Sequence, residues 1–244
     1  MHRFYADSDA CPETEIVLPE DDARHAFTVL RMKPGQHAEV ICNGERWEAE
    51  MTVCAPHNVR LRLLSPLPST EPVLSVTLYQ GLPKADKMDW IVQKATELGI
   101  IRIVPVLMSR CVSRPDPKDF SRKLERWNRI VREAGKQSGR CVIPVVDKPC
   151  TLAALPDDPL LPETNIVPWE DTSGFGPLAL HQAYPALSSL GILIGPEGGI
   201  DRDEILFLQS AGFLPFTLGR RILRTETAGL AAVSSIMCLY GEME

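Results

Sequence analysis

The chain has 244 residues, 44% of them hydrophobic and 24% charged, with a formal net charge of −6. That length fits a small domain joined to a medium one, with enough apolar material for a core that needs neither disulfides nor a structural metal. The acidic balance argues against a protein that coats nucleic acid indiscriminately, and no apolar stretch is long and pure enough to span a bilayer.

Taken from the N-terminus, the first 13 residues, MHRFYADSDACPE, lack an apolar signal core, so a cytoplasmic protein is expected. Acids at the start of the 20–32 segment suit a helix N-terminus. Period-two patches at 37–42, 46–53 and 58–63, broken by Asn43-Gly44 and by Ala55-Pro56-His57-Asn58, read as strands of a small β-barrel. The stretch SPLPSTEP at 65–72 reads as a linker, so domains are expected at 1–70 and 73–244. Beyond it, strands and helices alternate. A buried strand at 73–79 precedes a helix at 86–98 with Met88, Ile91, Val92, Ala95 and Leu98 on one face, closed by Gly99. A strand at 100–107 leads to a long helix at 118–136 whose apolar stripe is Phe120, Leu124, Trp127, Ile130, Val131 and Ala134. Strands follow at 142–146, 165–169, 190–194 and 214–218, with a last helix at 226–239. The second part is therefore an α/β domain with a mainly parallel sheet.

The cysteines at 11, 42, 54, 111, 141, 150 and 238 form no Cys-x-x-Cys pair, and the five histidines are dispersed. They read as reduced thiols and surface residues, with no metal site expected. Charge is uneven. Between Arg102 and Arg140 there are eleven basic residues against four acids, a local excess of +7. A basic face on an acidic protein suits a polyanion bound at one defined place, or simply a solvated helix face.

Four segments can carry chemistry, three where a strand gives way to a helix and the fourth at the end of the long basic helix. ILIGPEGGI at 192–200 runs an apolar strand into a glycine-rich turn, and Asp201 with Glu204 suits a capping pair for the next helix. The turn matches neither the dinucleotide fingerprint nor the phosphate loop. In LGRRILRTETA at 218–228, Arg220, Arg221 and Arg224 beside a helix start could serve an anion or a carboxylate, or be solvated. YQGLPKADKMD at 79–89 and REAGKQSGR at 132–140 complete the set.

QGLPKADKMDWIVQKATELGI, SRCVSR, KLERWNRIVREAGKQSGR, ILIGPEGGIDRDEI and TLGRRILRTETA, in this order, resemble the ribosomal RNA small subunit methyltransferase E family. HRFYA and HAFTVLRMKPGQ resemble its N-terminal domain, while RCVSR and ICNGERW depart from the family's usual residues. The resemblance implies a C-terminal SPOUT domain with a deep trefoil knot, a small N-terminal PUA-like β-barrel that binds RNA, and a homodimer. It implies S-adenosylmethionine as cofactor, held by Leu193, Gly195, Pro196, Glu197, Gly198, Gly199, Leu218, Gly219, Ile222, Leu223, Thr227 and Ala228. The implied partner is 16S ribosomal RNA in the assembled small subunit, methylated at N3 of one decoding-region uridine.

N3 becomes nucleophilic only as its proton leaves, so the site must stabilise charge on the flanking carbonyl oxygens. Arg110 or Arg114, with Arg140, are expected to face the uracil or its phosphate. Glu133 or Glu226 would orient donors or take the proton. Three rival readings stay open: a SPOUT enzyme acting on transfer RNA or another ribosomal site, a non-catalytic RNA-binding assembly factor, and a phosphate-binding nucleotide enzyme.

Overall fold

The computed structural model describes residues 2–6, 8–114 and 116–243. It divides into two compact units, Met1–Glu71 with Gly135–Val142, and Pro72–Ala134 with Ile143–Glu244.

In the first unit the strands β1 (His2–Ala6), β2 (Glu15–Val17), β3 (His37–Cys42), β4 (Glu45–Ala55) and β5 (Asn58–Leu67) pair in the order β1-β3-β4-β5-β2. Only β1 and β3 run parallel. The Asn43-Gly44 turn has positive φ at both residues, 47° and 87°, the geometry that a two-residue hairpin needs. Alternation in β4 sends Trp47, Ala49 and Met51 into a core with Phe4, Val40 and Leu61. The helix expected at 20–32 is a short α1 (Glu20–Arg24) that widens into a π-turn at His25–Val29. The expected linker begins inside β5, because its first three residues still pair with β4.

Residues 135–142 join this unit, which a cut near residue 70 does not anticipate. Arg140 donates from Nε and Nη2 to the Glu71 carboxylate, which also accepts from the amides of Cys141 and Val142. Tyr5 donates its hydroxyl proton to the carbonyl of Gly135 or Arg140, at 3.1 and 2.8 Å, and its burial pushes the phenol up to about 12.

The second unit is built on a parallel sheet. Its strands are β6 (Ser75–Gly81), β7 (Arg102–Leu107), β8 (Val145–Val146), β9 (Cys150–Thr151), β10 (Thr164–Pro168), β11 (Ser189–Ile194) and β12 (Phe213–Phe216). The order is β12-β10-β11-β6-β7-β8, with β9 also on β7. Every pairing is parallel, and the central strands are buried along nearly their whole length, as a sheet covered on both faces requires.

The helices are α2 (Lys87–Glu97), α3 (Pro117–Ser138), α4 (Pro177–Ala183), α5 (Arg202–Ser210) and α6 (Thr225–Leu239). A 3-10 turn at Leu152–Asp157 precedes β10. α2 buries Met88, Ile91, Val92 and Ala95, the face its spacing predicts. α3 packs Phe120 edge-on against Trp127, centroids 5.5 Å apart. The strand expected at 142–146 shrinks to two residues, since Cys141 and Val142 are held by Glu71.

Candidate functional site

β11 delivers a buried apolar run to Gly195 and stops there. Seven residues on, α5 starts from a capping box: Asp201 accepts from the Asp203 amide at 3.2 Å, and Glu204 accepts from the Asp201 amide at 3.1 Å. The GPEGG turn is thus suspended between a fixed strand and a fixed helix.

Two neighbouring loops hold it. On one side, Arg110 donates to the Gly198 carbonyl at 3.1 Å and to Asp201 at 2.8 Å, while Ser109 N–H donates to Glu204 at 2.7 Å. A Cβ at Gly198 would sit 2.9 Å from the Arg110 Cβ, so glycine is what allows that approach. On the other side, Gly81 closes against the loop, where a Cβ would fall 2.7 Å from the Pro196 nitrogen. The Lys84 amide donates to Glu197 at 3.0 Å. Next to it, Ala85 holds φ +53°, a left-handed conformation that costs a non-glycine residue on the order of 1 kcal/mol.

A buried relay ties this loop to α6. Gln80 donates to the Thr225 hydroxyl at 2.9 Å, and that hydroxyl donates to the Gly195 carbonyl at 2.6 Å. Lys87 adds an ionic tie, with Nζ 3.2 Å from Glu197 and 3.0 Å from Glu226. Partial burial would push both carboxyls up. For Glu197 its own amide, the Lys84 amide and Lys87 outweigh that; for Glu226 its own amide, Lys87 and Arg224 do. Both are therefore held below the usual carboxylate range, and Lys87 is raised chiefly by its contact with Glu226.

Around this frame opens a cleft of about 860 Å³, beyond the C-terminal ends of β10, β11 and β12, where open parallel sheets bind ligands. The volume lies inside the roughly 300–1,000 Å³ range of small-molecule sites. Its apolar walls come from Ile194, Ile200, Leu218, Leu223 and Ala228, and Ile222 at the edge is 83% exposed. Apolar walls beside bare glycine backbone suit a flat heterocycle with polar edges, such as a nucleoside.

Of the residues expected to hold a cofactor, Gly195, Pro196, Glu197, Gly198, Gly199, Leu218, Gly219, Ile222, Leu223 and Ala228 line this cleft. Leu193 is buried within β11 and Thr227 is exposed on α6, neither on the cleft wall. Among the expected catalytic residues, Arg110 clamps the GPEGG turn and Glu226 pairs with Lys87. Arg114 is exposed and donates to the Ser109 carbonyl at 3.3 Å. Glu133 is exposed on α3. Arg140 is a correction: it belongs to the first unit, is 4% exposed, and its guanidinium is committed to Glu71. The structure also brings in the loop after β10, including Trp169, Glu170 and Ser173, which the sequence reading did not single out. The available signal was its position, a polar glycine-containing stretch directly after a strand.

Residues 69–237 match a family model described as an RNA methyltransferase domain, and residues 18–64 match one described as an RNA methyltransferase PUA domain. The chain is 34% identical over 226 residues to ribosomal RNA small subunit methyltransferase E of Bacillus subtilis (strain 168), covering 88% of this chain and 87% of that one. This chain belongs to the ribosomal RNA small subunit methyltransferase E family. A second member, from Mycobacterium bovis, is 32% identical over 96% of this chain and 90% of its own. Among solved structures, ribosomal RNA small subunit methyltransferase E from Neisseria gonorrhoeae, bound to S-adenosyl methionine, superposes with a TM-score of 0.84 at 31% identity over 98% of both chains. The N-terminal unit is accordingly a PUA domain, and the parallel-sheet unit carries the family's methyltransferase domain.

Proposed function

We propose that this protein methylates 16S ribosomal RNA with S-adenosylmethionine bound in the cleft between residues 194–200 and 217–228. The observation that carries the reading is the GPEGG turn, clamped by Arg110 outside and by Lys84, Lys87 and the Gln80–Thr225 relay inside, facing an apolar wall. The residues fit the group. Gly198 and Gly199 expose backbone to its polar edges, Leu218, Ile222, Leu223 and Ala228 offer faces to an adenine, and Glu197 and Glu226 place negative charge on the wall side. When bound, the cofactor supplies an electrophilic methyl group on a sulfonium.

The finer reading is that the acceptor is N3 of one uridine in the decoding region, on the assembled subunit. The enzyme would act in the cytoplasm as a homodimer, with the 193–199, 218–223 and 225–228 segments forming the loops of a trefoil knot. Arg114 and Arg110 are the proposed donors to the uracil carbonyls. Arg110 is preset by Asp201, while Arg114 is free to swing from Ser109. Glu226 is held ionised by Lys87 and so makes a weak proton acceptor, which favours a role in orienting Lys87 and the start of α6. Arg114→Ala should cut turnover by roughly 100-fold and leave cofactor affinity within twofold, the pattern of a group that acts on the developing charge. Equal loss of both would remove Arg114 from that role.

The direct test is incubation with S-adenosylmethionine and unmethylated small ribosomal subunits, followed by nucleoside mass spectrometry. New 3-methyluridine, absent with free 16S RNA, is the expected result. No methylated nucleoside despite cofactor binding would send the search to another RNA.

A further inference from the structure

The cleft has one wall that the cofactor does not explain. Arg220, Arg221 and Arg224 all line it, all are exposed, and their side chains make no hydrogen bond or ion pair among the described residues. Several other arginines pair with acids, as Arg102, Arg110 and Arg140 do. The acids near the three are already engaged or stand alone. Glu197 and Glu226 share Lys87, and Glu170 is the remaining carboxylate on the cleft wall.

A sulfonium amino acid carries two positive groups against one carboxylate, so it brings net positive charge to the three guanidiniums and leaves theirs unbalanced. Three exposed cations within five residues just before α6, of which only Arg224 interacts with a nearby acid, Glu226, therefore call for a second and polyanionic ligand. Between them Ile222 stands 83% exposed, an apolar face beside the charges. Exposed guanidiniums clustered on one short segment are the chemistry that holds an RNA backbone, with phosphates on the cations.

We infer that the strip from Arg220 to Arg224 is the edge of the cleft that binds the phosphodiesters flanking the target nucleotide, leaving the cofactor to the glycine turn opposite. The inference rests on the reading that the cleft holds S-adenosylmethionine and serves a ribosomal RNA substrate. The strip then sets which stretch of backbone can pass the cleft, and the neutral walls behind it set the cofactor.

The test uses the full chain and the variant Arg220→Gln/Arg221→Gln/Arg224→Gln. Cofactor affinity is measured by calorimetry, and binding to unmethylated small ribosomal subunits is measured at several salt concentrations. The expected result is subunit binding weakened by roughly tenfold or more, with the slope of log affinity against log salt reduced by about 2, near 0.7 per lost phosphate contact. Cofactor affinity and thermal midpoint should stay within error, because the side chains are exposed and make no hydrogen bond among the described residues. Cofactor affinity falling as far as subunit binding would assign the arginines to the cofactor's carboxylate and overturn the inference. Unchanged subunit binding and slope would overturn it too. If the wild type itself binds no S-adenosylmethionine, the reading of the cleft fails, and the salt series still reports separately whether the strip contacts RNA.

Discussion

Arginine does two different jobs in the two units. In the PUA unit the side chains turn onto carboxylates: Arg140 onto Glu71, and Arg3 and Arg46 together onto Glu39. The Glu39 carboxyl is held below its ordinary range, first by its bond from Arg46 and then by Arg3 against the opposing effect of burial. In the methyltransferase unit Arg102, at the start of β7, behaves the same way on Asp147 and Asp158. At the cleft the pattern inverts, and Arg220, Arg221 and Arg224 stand on the rim with no acid matched to them. A buried guanidinium must be paired because its desolvation is large. One on a rim is tolerated unpaired, and its charge remains available to a ligand. The difference separates arginines that hold the fold from arginines that wait for an anion.

That contrast can be broken at its strongest point first. Glu71→Ala removes the Glu71 ion pair from the buried Arg140 and frees two amides, so it should destabilise the PUA unit by about 3 kcal/mol in urea unfolding. A loss under about 1 kcal/mol would mean the pair is incidental. Asp158→Asn should cost about 2 kcal/mol, since Asp158 takes both Arg102 and the Tyr79 hydroxyl. Burial opposes ionisation of Asp158, but Arg102, the Leu160 amide and Tyr79 win and lower its pKa in the folded protein. Its stabilisation is thus complete above the unfolded value near 4 and fades as pH falls through the lower folded value. The variant should lose that part of the acid limb in a pH series.

A smaller effect belongs to the relay behind the cleft. Thr225→Val removes the hydroxyl between Gln80 and Gly195 and should weaken S-adenosylmethionine binding about tenfold, while Thr225→Ser stays near wild type. Valine near wild type with serine weakened would make the methyl group, not the hydroxyl, the feature that matters. Smallest of all, Ala85→Gly relieves a left-handed alanine and should raise stability by about 0.5 kcal/mol without changing cofactor affinity.

Much of this was legible in sequence. The apolar stripe of α2, the run of β11 into GPEGG and the Asp201–Glu204 capping box all appear where periodicity and capping chemistry put them. Less legible was anything set by contacts distant in sequence. The Glu71–Arg140 pair lies 69 residues apart, so nothing local shows that residues 135–142 belong with the first unit or that Arg140 is unavailable to substrate. Lys87 had no role of its own within the 79–89 segment, and only folding brings it between Glu197 and Glu226. The loop after β10 entered the cleft unforeseen because strand order, β10 beside both β11 and β12, is not written in any local pattern.

The division of the cleft rests on where the cofactor sits, so the most direct measurement is a crystal structure of the full chain with S-adenosylmethionine. It should show the adenine against Leu218, Ile222, Leu223 and Ala228, the GPEGG backbone on its polar edges, and the three rim arginines turned away from it. A cofactor bound elsewhere, or one whose carboxylate gathers Arg220, Arg221 and Arg224 around it, would contradict the division of the cleft argued from the structure.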